Sequence, residues 1–174
     1  MNIMKILVTY FSNTGNTEKI AQSIKNSLKG QNVEIKPIKD VNPLSLKDYD
    51  LLFLGSGIYA SRVNKSLVDL ISTSQILPRN IVFFCTHASA EGYQDGFKLV
   101  KRALNKSNTK ILGEFDCMGD NIGIPEQTIK SMLEKLPPEK RKEAEEHQKS
   151  LKGHPNKDDL DNAEKFARSI ITMI

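Results

Sequence analysis

Tryptophan is absent from this chain of 174 residues, and aromatic residues make up only 6% of it. With no long basic run beside them, so few rings argue against nucleic-acid binding, which joins stacking aromatics to clustered cations. Charge of one sign is not in large excess: 25 Lys and Arg stand against 21 Asp and Glu, a net +4. Only two cysteines occur, Cys85 and Cys117, far apart and outside any C-x-x-C pair. Neither a zinc site nor a disulfide framework follows from them; small buried residues are the expectation. Glu91, not Arg, stands six positions after Cys85, which removes a phosphatase-type cysteine loop. The three histidines have no metal-ligand spacing, and no metal site is expected. His147 and His154 fall in a charged stretch and are expected to be solvated. No apolar run approaches the ~18 residues of a membrane helix. Met1–Tyr10 is too short and too strand-like for a secretory signal, so a cytoplasmic protein is expected.

Two nucleotide signatures are also missing. Neither G-x-x-x-x-G-K-[ST] nor G-x-G-x-x-G occurs. What stands in their place is Tyr10-Phe11-Ser12-Asn13-Thr14-Gly15-Asn16-Thr17. It follows the apolar run Ile3–Thr9 and opens a helical pattern over Glu18–Leu28, with Ile20, Ala21, Ile24 and Leu28 on one face. A strand entering a helix through such a loop makes an anion site, because the first helical N–H groups lack partners and the dipole is positive there. Gly15 allows close approach or positive φ, and Ser12, Thr14 and Thr17 carry hydroxyl donors. No Lys or Arg lies between Tyr10 and Glu18, so a phosphate would be held by dipoles and not by a counter-charge.

Strand and helix patterns then alternate. Val33–Ile38 reads as an edge strand, Asp50–Gly55 as a central one, Ile81–Cys85 as a fourth and Lys110–Cys117 as a fifth. Helices with Leu67, Leu70 and Ile71, and with Phe97, Val100 and Leu104, fall between them. This predicts one α/β domain over residues 1–174, with a five-stranded parallel sheet in the order 2-1-3-4-5 between layers of helices. A ligand then sits beyond the carboxyl ends of the first and third strands. After the fifth strand, residues 119–157 form a helical insertion. Its first helix, Pro125–Leu136, carries Ile129, Met132, Leu133 and Leu136 on one face; its second, Pro138–Lys152, is charged and expected to be solvated. The closing helix spans Asp158–Ile174.

The loop Ser12–Thr17 matches [ST]-x-T-G-x-[ST], and through it the chain resembles the flavodoxin family over residues 1 to about 117 and again at the last helix. Gly55-Ser56-Gly57-Ile58-Tyr59 is also similar to the corresponding loop of flavodoxin-like protoporphyrinogen dehydrogenases. The resemblance implies FMN, with its phosphate on Ser12, Asn13, Thr14, Gly15, Asn16 and Thr17. It places the ring against Ser56, Gly57, Ile58, Tyr59 and Ala60, and against Thr86, His87, Ala88, Ser89 and Tyr93. Gly57 is expected to turn a carbonyl toward the flavin, and Tyr59 and Tyr93 to stack on it. The backbone N–H groups of Thr86–Ser89 are expected at the pyrimidine edge, with His87 near by. Arg62 is expected to meet a surface carboxylate.

Three functions follow as expectations. The first is an FMN electron carrier serving a redox partner protein. The second is an FMN-dependent oxidoreductase acting on a quinone or porphyrinogen, with residues 119–157 roofing a pocket. The third is a phosphate-ligand binder without redox chemistry. No nucleic-acid partner and no membrane span are expected. No acidic cluster follows the first strand, which argues against a phospho-receiver.

Overall fold

The computed structural model describes residues 3–174; Met1 and Asn2, part of the segment judged above against a signal sequence, lie outside the described residues. Strand β1 (Lys5–Phe11) has no solvent face. Ile6 and Val8 point to one side and Leu7 to the other, all fully buried, which is why the run is apolar almost throughout. β2 (Asn32–Pro37) pairs with β1 in parallel at the sheet edge and buries none of its residues fully. Pro37 sits at the end of this edge strand, where its missing N–H costs no ladder bond. β3 (Leu51–Tyr59), β5 (Asn80–His87) and β6 (Lys110–Met118) complete the parallel sheet. The order is β2-β1-β3-β5-β6, with the two-residue β4 (Arg62–Val63) folded back antiparallel on β3. Apart from β4, this is the order 2-1-3-4-5 that the alternation of elements predicts.

Helices cover both faces. α1 (Asn16–Ser27) and α6 (Lys157–Ile171) lie on one, where Ile20, Ala21, Ile24, Ala163, Ala167 and Ile170 meet the sheet. α2 (Lys65–Thr73) and α3 (Lys98–Leu104) cover the other through Leu67, Leu70, Ile71, Val100 and Leu104.

One element differs from the sequence reading. The segment from Ser56 onward, expected as a loop, continues β3 to Tyr59. Ser56 is registered between Phe11 and Cys85, and Gly57 beside Thr86, so ladder bonds extend the strand past the apolar run. The insertion holds α4 (Glu126–Glu134) and α5 (Pro138–Ser150), neither with a buried residue. The stripe on α4 does not pack into the core: Met132 is 62% exposed.

Candidate functional site

The loops after β1, β3 and β5 meet at the carboxyl edge of the sheet. In the first, Gly15 adopts φ 88° and serves as the N-cap of α1, and no side chain among the described residues caps the helix. Ser12 Oγ accepts a 3.0 Å hydrogen bond from the Gly15 N–H. That bond tightens the loop and leaves the Ser12 proton free to donate. Asn16 and Thr17 are buried, and their side chains hold the loop in place. Asn16 Nδ2 donates to the Asp120 carbonyl at 2.9 Å, and Thr17 Oγ1 lies 2.8 Å from Thr86 Oγ1. Asn13 and Thr14 stay exposed at the rim. The candidate residues Ser12–Thr17 thus divide into an exposed or partly exposed set, Ser12 to Gly15, and a buried anchoring set, Asn16 and Thr17. The uncapped helix start, with no Lys or Arg between Tyr10 and Glu18, fits a phosphate group.

β3 ends in a two-residue hairpin. Tyr59 pairs with Arg62, and the turn residues Ala60 and Ser61 have φ 48° and 63°. Tyr59 Oη accepts from the Asn13 N–H at 3.3 Å, and its ring meets Phe11 edge-on at 5.8 Å. Burial raises its phenol above the ordinary range, opposed by the Asn13 hydrogen bond. Gly57 is extended within β3, and a Cβ there would fall 2.6 Å from the Tyr59 hydroxyl. Gly57 therefore makes room for Tyr59; positive φ belongs to the turn beyond it. Ser56 is fully buried, with its hydroxyl donating to the Gly57 carbonyl and accepting from Asn64 N–H. Ile58 is half-buried, and Arg62 is exposed on β4.

The third loop follows Thr86 and His87, the last residues of β5. His87 is 7% exposed. Its ring lies flat against Tyr93, with centroids 3.6 Å apart and planes 5° apart. Both ring nitrogens are engaged, one by the Ser89 carbonyl and one by Asp116 on β6. Ala88 and Ser89 follow in the same loop.

Several residues of this region escaped the sequence reading. Asp116 and Asp120 carry no motif, yet they tie β6 to the loops after β5 and β1. His147 and His154, expected in solvent, are both half-buried. His147 Nε2 reaches the Ala88 carbonyl at 2.8 Å, and His154 Nδ1 reaches Asp159 at 2.6 Å. Helical spacing around His147 shows only charge; its partner lies 59 positions away. A groove of about 710 Å³ between α4 and α5 is lined by Ile122, Ile124, Ile129 and Leu133 together with Asp120 and charged residues such as Lys130 and Lys149. Cys85 and Cys117 are buried free thiols in the two opposite core layers, and so cannot pair. Among the described residues no group of acids, histidines and cysteines could hold a metal ion. No helix among them is long and apolar enough to cross a membrane.

A parallel sheet in this order, flanked by helices on both faces and with an uncapped helix start at its carboxyl edge, defines a doubly wound α/β protein. The flavodoxin domain model matches residues 7–168, and the chain belongs to the flavodoxin family. It is 30% identical over 178 residues to the flavodoxin-like domain-containing protein BilS of Clostridioides difficile, covering 97% of each chain. It is 31% identical over 169 residues to an uncharacterised protein of Methanocaldococcus jannaschii, covering 97% of this chain and 99% of the relative. Among solved structures, oxidised flavodoxin 2 from Bacillus cereus superposes with a TM-score of 0.67 at 18% identity, covering 98% and 99% of the two chains. That last likeness concerns the fold alone.

Proposed function

We propose that this protein binds FMN and carries electrons between partner proteins. The observation that supports this most is the start of α1, where Gly15 at φ 88° leaves the helix without a side-chain cap. The first-turn N–H groups and the hydroxyls of Ser12 and Thr14 would hold the phosphate. Thr17 adds its proton when Thr86 is the donor in their shared bond. Bound there, FMN supplies one- and two-electron chemistry at its ring. Tyr59 and Tyr93 would wall the ring and keep water from it, and the N–H groups of Thr86–Ser89 would meet its pyrimidine edge. The carrier reading places the protein in the cytoplasm, with a redox partner protein and no nucleic acid.

One observation favours a second reading, an FMN-dependent oxidoreductase acting on a quinone or porphyrinogen. The α4–α5 groove includes Ile122, Ile124, Ile129 and Leu133 in its lining, and the carbonyl of Asp120, also in that lining, accepts from Asn16 of the first loop. Steady-state quinone reduction, measured beside reduction by a flavodoxin reductase, separates the two. Anaerobic photoreduction adds to this: a stable one-electron stage supports the carrier, and direct two-electron reduction supports the enzyme.

The cofactor assignment rests on a variant that the structure isolates. Thr17→Val would also orphan the Thr86 hydroxyl, whereas Thr14 is exposed. Thr14→Val is expected to weaken FMN binding by about tenfold, the loss of one hydrogen bond to a charged group, with thermal stability unchanged. Unchanged FMN affinity in Thr14→Val, or no FMN affinity in the native protein, overturns the assignment and leaves a phosphate binder of another kind.

A further inference from the structure

We propose that His87 is a positioning residue held doubly protonated, and that it fixes Tyr93 flat as one wall of the flavin site. The flavin part of this rests on the reading above; the protonation part does not. Nδ1 lies 2.9 Å from the Ser89 carbonyl and Nε2 lies 3.1 Å from the Asp116 carboxylate. A carbonyl and an ionised carboxylate only accept. A neutral imidazole has one N–H, so it would turn a lone pair toward one of these oxygens. The ring with two N–H groups satisfies both. At 7% exposure little water is present to make up a missing partner.

The stack points the same way by a separate route. Two neutral rings prefer offset or edge-on contact to a face-to-face sandwich. His87 and Tyr93 form a sandwich, 3.6 Å between centroids and 5° between planes. A cation over a phenol face reverses that preference. Ser89 and Tyr93 belong to one short loop, so the charged ring grips that loop at two points.

The charged and titratable groups around His87 fit this picture. Asp116 faces it from β6 and is half-exposed, so the carboxylate keeps much of its hydration. Cys85, two residues back on β5, is buried with its thiol pushed up to about 12, and so adds no charge. From α5, His147 reaches only the next carbonyl, that of Ala88. The His87 carbonyl accepts from the Gly119 N–H.

The test uses the full chain, with and without FMN. Nitrogen NMR of His87 near neutral pH is expected to show two protonated ring nitrogens in the native protein. In Asp116→Asn the amide can donate to Nε2, so only Nδ1 is expected to keep its proton. His87→Gln is expected to bind FMN about tenfold more weakly and to speed amide exchange across residues 89–93. A neutral His87 ring in the native protein overturns the proposal, as does unchanged FMN affinity in His87→Gln. If the native protein binds no FMN, the proposed function fails and the wall role with it, while the nitrogen signals still decide the protonation.

Discussion

Gly55 has no room for a side chain. A Cβ there would lie 2.1 Å from the ring of Phe84, which is fully buried and held on β5. Gly55→Ala is expected to destabilise the protein by about 2–3 kcal/mol, the cost of overpacking a rigid core, measurable as a lower urea midpoint. Gly57→Ala meets only the far end of the Tyr59 side chain. It is expected to displace that ring and weaken cofactor binding, with far less loss of stability. At Ala60 and Ser61 the backbone is left-handed in residues that disfavour it. The pair Ala60→Asn and Ser61→Gly supplies the residues that such a hairpin prefers. It is expected to raise stability by about 1 kcal/mol in chemical denaturation. The Ser12–Thr17 turn was legible in sequence because Gly and short hydroxyl residues between an apolar run and a helical stripe mark where a strand enters a helix. Asp116 and Asp120 were not, because they act through residues many positions away.

Among the elements, α6 shows how a helix start is secured. Asn156 accepts from the Asp159 N–H at 3.1 Å, and the Asp159 carboxylate accepts from the Asn156 N–H at 2.8 Å. The same carboxylate also takes His154. Asn156→Ala is expected to cost about 1 kcal/mol, seen as a lower melting temperature and faster exchange in the first turn of α6. α4 and α5 behave differently, since neither buries a residue in the core. Arg141 joins them by donating to the carbonyls of Glu134 and Leu136 at 2.9 and 3.2 Å. Arg141→Met is expected to release the end of α4 and raise exchange there, while shifting global stability by less than about 1 kcal/mol. Among the described residues, apolar spacing announced α1, α2, α3, α4 and α6, and dense alternating charge announced α5. Which of their faces would find a partner could not be read in advance, since an amphipathic stripe looks the same against a sheet and against solvent.

For the whole molecule, buried acids set a limit at alkaline pH. Burial, with smaller contributions from Asp116 and Glu114, raises the Cys85 thiol from 9.0 to about 12. Burial raises Cys117 as well, aided by Asp159. Tyr10 rises from 10.0 to about 12 through burial and then through Glu18. Each group binds its proton more tightly in the folded chain than in the unfolded one. Their stabilisation is complete below the unfolded values and is lost as pH climbs toward the folded ones. Stability is therefore expected to fall between about pH 9 and 12, by up to about 1.4 kcal/mol per pH unit for a group such as Cys85. Cys85→Ala should flatten that decline, read by urea midpoints across the range.

Local pattern was enough to set the strand order and to single out the loop between β1 and α1. Two-sided burial demands continuous apolar runs, and a helix start that takes an anion demands Gly and hydroxyls beside it. The sequence alone thus carried the five parallel strands and the residues Ser12–Thr17. Only the folded chain brought Asp116 to His87, Asp120 to Asn16 and His147 to Ala88. Those contacts join residues 29, 104 and 59 positions apart. Such pairings arise when crossovers and insertions place distant backbone side by side, and spacing along the chain holds no trace of that.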